Sequence, residues 1–70
     1  MAEIYFNGFS ISVKEAYEYV CEDLWRAKSD KDDFIELSEL YPYFDETKAK
    51  LVTGSKKTYI QIDKIICIKQ

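Results

Sequence analysis

Apolar and polar positions along the chain change period several times, and each change marks an element. In EIYFNGFSIS two short runs of aromatic and β-branched residues flank Asn7-Gly8. An Asn-Gly pair readily supplies the two positive-φ positions of a type I′ turn, so Glu3 to Phe6 and Phe9 to Ile11 read as a tight hairpin. Ser12 then opens SVKE, a capping box in which the Ser12 hydroxyl accepts from the Glu15 amide and the Glu15 carboxylate accepts from the Ser12 amide, and a helix is expected over 13–28. At about 100° per residue Val13, Ala16, Tyr17, Val20, Leu24 and Ala27 form one apolar stripe, with Glu15, Glu18, Glu22 and Arg26 opposite it. Glu22 and Arg26 would add an exposed i,i+4 pair worth a few tenths of a kcal/mol.

After the polar break SDKDD, the stretch FIELSELYPYF fits two patterns. Phe34, Leu37 and Tyr41 share a helical face, whereas Ile35 and Leu37 alternate as in a strand. A short helix is the preferred reading, capped by Asp32 or Asp33 and ended by Pro42, with an edge strand over DFIEL as the alternative. Further on, Asp45 can cap another helical turn with Phe44 stapled on Ala49, or Lys50 to Thr53 can begin a hairpin that turns at Gly54 and Ser55 into KTYIQI. The hairpin is preferred, because Ile60 and Ile62 alternate with Tyr59 and Gln61. IICI, apolar on both faces, reads as an interior strand. Together these elements predict a single α+β domain over 1–70: a small antiparallel sheet, made of the N-terminal hairpin plus a C-terminal hairpin and strands, packed against one main helix.

Composition sharpens the picture. Seventy residues bury only roughly 60% of the surface of the unfolded chain, so six Tyr, four Phe and one Trp must supply much of the packing. Cys21 and Cys67 lack CxxC spacing and there is no His, so neither a metal nor a cofactor is expected. The chain opens without a charged-then-apolar leader, and no run approaches the roughly 20 apolar residues of a membrane span. A cytoplasmic protein with reduced thiols is the expectation. The bias to Lys, Ile and Tyr is that of AT-rich coding sequence and suits a low-GC bacterium or a phage.

Candidate chemistry is sparse. The side chain most easily poised near neutral pH is absent, and Glu15, Glu18 and Glu22 fall on the polar helix face, where a solvated surface accounts for them. Both cysteines read as buried structural thiols without a base beside them. GSKKT resembles the end of a phosphate-binding loop, but Lys56 stands where its second Gly belongs. No enzyme is expected.

Charge is the remaining signal. Residues 1 to 47 hold four basic and twelve acidic side chains, while residues 48 to 70 hold six Lys and Asp63. Two binding readings follow from this split. In the first, a small accessory or inhibitory factor occupies a basic surface of a larger protein. Glu15, Glu18, Glu22 and Asp23 steer the encounter, and Tyr19 and Trp25, about 240° and 120° from Val13 on the helical wheel and so off the stripe, serve as anchors. Packing of Trp25 beneath residues 34–44 is the structural alternative. In the second reading Lys48, Lys50, Lys56 and Lys57 cluster near a hairpin tip, with Tyr59 as a stacking ring for nucleic acid. The overall charge of −3 and the single Arg argue against it. Two bland accounts stand beside these: solvated outer faces of opposite sign, and a homodimer in which one chain's acidic helix meets the other's lysines.

Overall fold

In a computed structural model describing all 70 residues, strands β1 (Ala2–Phe6) and β2 (Phe9–Val13) flank Asn7-Gly8 and pair antiparallel from Ala2↔Val13 to Phe6↔Phe9. The Phe6 and Phe9 rings stack at 4.8 Å across the closing pair. Gly8 alone takes a positive φ, 93°, so the turn is not type I′, which needs one at both positions.

β2 runs further than its pattern predicts, and the helix begins later. Helix α1 spans Tyr17–Ser29, and its N-cap, Ala16, makes no side-chain capping bond. The predicted capping box is absent because residues 12–15 serve strand β3 (Phe34–Asp45) instead. Ser12 and Val13 pair with Leu40 and Glu39, and the Lys14 amide donates to the Ser38 carbonyl at 2.8 Å. Both Glu15 carboxylate oxygens then accept from the Ser38 amide, at 3.0 and 3.1 Å. A local capping signal has thus been overridden by tertiary demand: Val13 is fully buried as a strand residue, and Glu15 closes the β2–β3 ladder.

The far end of α1 closes as a Schellman motif. The Asp32 amide donates to the Ala27 carbonyl (2.8 Å) and the Lys31 amide to the Lys28 carbonyl (3.2 Å), with Lys31 at φ 60° in the position usually held by glycine.

Residues 34–44 are strand, not the short helix expected. Ile35 and Leu37 point to the helix side and are buried, while Phe34 and Glu36 point away. Pro42, read as a helix stop, ends a ladder instead. The β2–β3 register continued by two residues would set Ser10 opposite Pro42, which has no amide hydrogen to donate. Pairing stops at Ser12↔Leu40, and beyond it β3 is accompanied only by strand β4 (Lys50–Gln61).

β3 and β4 pair along their whole length, from Phe34↔Gln61 to Asp45↔Lys50. Their turn is therefore at residues 46–49 and not at Gly54-Ser55. Asp45 Oδ1 accepts from the Thr47 amide (2.9 Å) and the Lys48 amide (3.4 Å), and Ala49 completes the reversal at φ 54°. Gly54 lies inside β4 opposite Tyr41, where an added Cβ would come within 2.8 Å of Tyr41 Cζ and 2.9 Å of Tyr43 Cε1. The two Tyr rings, 5.8 Å apart, occupy the space over this glycine.

After β4 a 3-10 turn (Ile62–Lys64) carries the chain from one sheet edge to the other, tied by the Ile62 amide to the Asp33 carbonyl at 2.9 Å. Strand β5 (Cys67–Lys69) then pairs with β1, giving the antiparallel order β4-β3-β2-β1-β5. IICI is thus not an interior strand: Ile65 packs on the core, Ile66 is exposed, and β5 is a three-residue edge. The fold class is α+β, with one helix on a five-stranded antiparallel sheet.

The core joins Val20 and Ala27 of α1 to Ala2, Ile4, Val13, Ile35 and Leu37 of the sheet. No aromatic side chain is among its fully buried members. The shape explains why. Residues 41–54 project as a two-stranded arm, so the molecule measures 45 × 22 × 19 Å with a radius of gyration of 13.6 Å. A compact chain of this length would have a radius of about 11 Å.

Two predictions follow from the backbone. Lys31→Gly and Ala49→Gly each relieve a left-handed residue and should raise stability by about 0.5–1 kcal/mol, additively, in urea unfolding. Glu15→Ala leaves the Ser38 amide without its acceptor and should lower stability by about 1–2 kcal/mol, with Glu15→Gln costing less because one oxygen remains to accept.

Candidate functional site

The outward side of α1 presents two adjacent stripes. Glu18, Glu22 and Trp25 follow helical spacing on one, and Tyr19, Asp23 and Arg26 on the other. Trp25 is 74% exposed and Tyr19 52%; residues 34–44 do not roof Trp25, because they form β3. Around Trp25 lies a shallow depression lined by Cys21, Glu22 and Arg26. On its other side Arg26 faces Asp23 at 3.6 Å, replacing the predicted pair with Glu22.

Tyr19 opens onto a groove of about 340 Å³ between the helix and the free edge of β3. Asp23, Asp30, Asp32 and Glu36 line it, with Arg26 as its only cation. The structure therefore gathers Glu18, Tyr19, Glu22, Asp23 and Trp25 on one side of the helix and adds Asp30, Asp32 and Phe34, which sequence reasoning did not include, while Glu36 lines the groove with its carboxylate paired to Lys57. SDKDD was the visible signal, but its link to Glu36 required knowing that β3 runs beside the helix. Glu15 leaves the set, since its carboxylate is engaged by Ser38.

The lysines do not gather as the alternative reading requires. Lys48 and Lys50 are at the arm tip, whereas Lys56 and Lys57 lie about 20 Å along β4 and, being consecutive in a strand, face opposite sides. Lys57 Nζ is 3.1 Å from Glu36 Oε1. Hydrogen bonding to Lys57 first, then to Tyr59, holds the Glu36 carboxyl below its ordinary pKa, and the bond to Glu36 holds the Lys57 amine above its own. A depressed acid stabilises the fold above its unfolded pKa and a raised base below its unfolded pKa. The pair therefore supports the fold across neutral pH and is lost as pH falls through the Glu36 titration or rises through that of Lys57. Tyr59, 71% exposed, takes part in this pairing.

Lys56 sits opposite Glu39, with its amine 5.7 Å from the Tyr41 ring. Glu39 in turn accepts from the Thr58 hydroxyl at 3.2 Å. Lys50 pairs with Asp45 and Lys69 with Glu3 across their ladders. Charge separated along the chain is brought together by antiparallel pairing.

Cys21 is half-buried and Cys67 exposed on β5, so the buried thiols expected are not formed. The Tyr17 hydroxyl, hydrogen-bonded with the Cys21 side chain, is held above its ordinary pKa and stays protonated at neutral pH. No group of three His, Cys, Asp or Glu side chains comes together to hold a metal ion, and no helix is long and apolar enough to cross a membrane.

Comparison with known protein families, with curated proteins and with solved structures finds no match to this chain.

Proposed function

We propose that the protein is a small non-enzymatic binding factor, accessory or inhibitory, that occupies a basic surface of a larger protein through the outward side of α1. The observation that carries this reading is the exposure of Trp25 and Tyr19 among acids. Leaving a Trp 74% exposed forgoes much of the largest hydrophobic contribution a side chain offers. Trp and Tyr are also the residues that most often anchor interfaces, especially where surrounding groups exclude water on docking.

The acids supply the second component. Glu18, Glu22, Asp23, Asp30 and Asp32 outnumber Arg26, Lys28 and Lys31 on α1 and the turn after it, so a basic partner is attracted at distance and the aromatics decide the close fit. A cytoplasmic setting and a phage or low-GC bacterial origin belong to the same proposal. Nucleic-acid binding through Lys48, Lys50, Lys56, Lys57 and Tyr59 has less support, since the lysines on β4 face acids of β3.

Trp25 is the only Trp in the chain, which makes its fluorescence a reporter of the site. A protein retained from nuclease-treated host lysate by the tagged wild type should be lost with Trp25→Ala. With Glu18→Lys/Glu22→Lys it should bind about tenfold or more weakly at low salt, the difference narrowing as salt rises. Retention unchanged by both folded variants would remove this helix from the reading, and recovery only of nuclease-sensitive material would favour the lysine alternative.

A further inference from the structure

The arm, residues 41–54, is apolar on both faces. Tyr41, Tyr43 and Val52 lie on one face and Pro42, Phe44 and Leu51 on the other, as the pairs Tyr43↔Val52 and Phe44↔Leu51 require. A solvated ribbon alternates polar and apolar positions, whereas consecutive apolar residues such as LYPYF are the pattern of a strand covered on both sides. In the single chain one side is open, with Phe44 58% and Leu51 71% exposed, and the other is partly covered, with Tyr43 44% and Tyr41 37% exposed. A two-stranded ribbon without a third strand or a packed face is also marginal in water.

We infer that the arm is a self-association element, and that two copies of the chain clasp arm to arm about a twofold axis. Charge selects a second copy as the occupant. Asp45, Glu46, Lys48 and Lys50 leave the arm neutral, so the whole net charge of −3 resides in the rest of the molecule. Copies meeting through their helices would repel; copies meeting through their arms do not. Asp32 and Asp33 precede the first residue of β3 and the arm tip follows its last, which places the acidic turn about 36 Å from the tip. Arms laid antiparallel hold the two acidic ends apart, well beyond the screening length of about 8 Å at physiological salt. Asp45 and Lys50, paired at the tip, give each arm both signs of charge to offer its mate.

Area sets the strength. A twofold clasp buries one face of each arm, and on the face carrying Pro42, Phe44 and Leu51 the exposed parts amount to on the order of 300 Å² per arm, given about 150–250 Å² for a whole aromatic side chain. Two such surfaces total about 600 Å², below the range of stable specific interfaces and suited only to a weak, rapidly reversible dimer. This inference stands on a surface separate from the helix and does not depend on the proposal above.

The test is sedimentation velocity of the full chain over a concentration series reaching well above the micromolar range. A monomer–dimer equilibrium is expected, weakened about tenfold or more by Phe44→Glu and by Leu51→Lys and left nearly unchanged by Glu18→Lys/Glu22→Lys. Far-UV circular dichroism of each variant at low concentration should match the wild type, since both arm residues lie outside the core. A chain that remains monomeric throughout the series overturns the inference. So does a dimer indifferent to both arm substitutions but abolished by the helix charge reversal, which would place the contact on α1.

Discussion

The register between β3 and β4 is the constraint on which the rest of the molecule hangs. It is the longest ladder in the sheet, and it pairs the acidic middle of the chain with its lysine-rich end: Asp45 with Lys50, Glu39 with Lys56, and Glu36 diagonally with Lys57. A slip of one residue would turn either Ile35 and Leu37 or Ile60 from core to solvent and would also set these charges out of step. Hydrophobic and electrostatic patterns thus enforce the same register. The exposed pairs contribute little stability each, but a mispaired ladder would place like or unpartnered groups side by side. An acidic protein keeps its positive charge near one end because that end folds back along the acids.

Much of the fold was legible where local and tertiary demands agree. Asn7-Gly8 marked its hairpin, and Val20, Leu24 and Ala27 marked the buried side of α1, because nothing elsewhere competes for those residues. The misreadings share a cause. SVKE is a good capping box locally, but Val13 is needed opposite Ala2 and the Ser38 amide needs an acceptor, so Glu15 caps a strand. LYPYF carries no alternation to report its strand, and Pro42 stops a ladder as effectively as a helix. Gly54 resembled a turn residue, yet it is required to be small because two Tyr rings lie over it. Each of these choices depends on a residue more than ten positions away, and no local window contains it.

The candidate site was legible in part for the same reason. Helical periodicity alone set Tyr19 and Trp25 off the buried stripe, so their exposure followed from spacing. Asp30, Asp32 and Glu36 joined them only because β2 leaves the sheet at Lys14, freeing the edge of β3 for the helix to lie against. The lysine cluster failed as a patch because strand geometry alternates consecutive residues between faces and because the hairpin turn is at 46–49, not at 54–55.

One physical argument connects the core to these exposed surfaces. Nine buried residues are few for a chain in which aromatics are so abundant, and none of the nine is aromatic. If the aromatics served the isolated chain, the arm would fold back over the sheet, where Phe6, Phe9 and Ile11 leave a groove of about 280 Å³ partly open. The ladder forbids this: twelve register pairs hold β3 and β4 straight past the point where β2 departs, and Tyr41 and Tyr43 are committed to covering Gly54. Rigid pairing therefore keeps apolar surface at the periphery at a cost to the stability of the single chain. Surface held out in this way, on an arm that carries no net charge and on a helix whose exposed aromatics stand beside acids, is arranged for contacts between molecules.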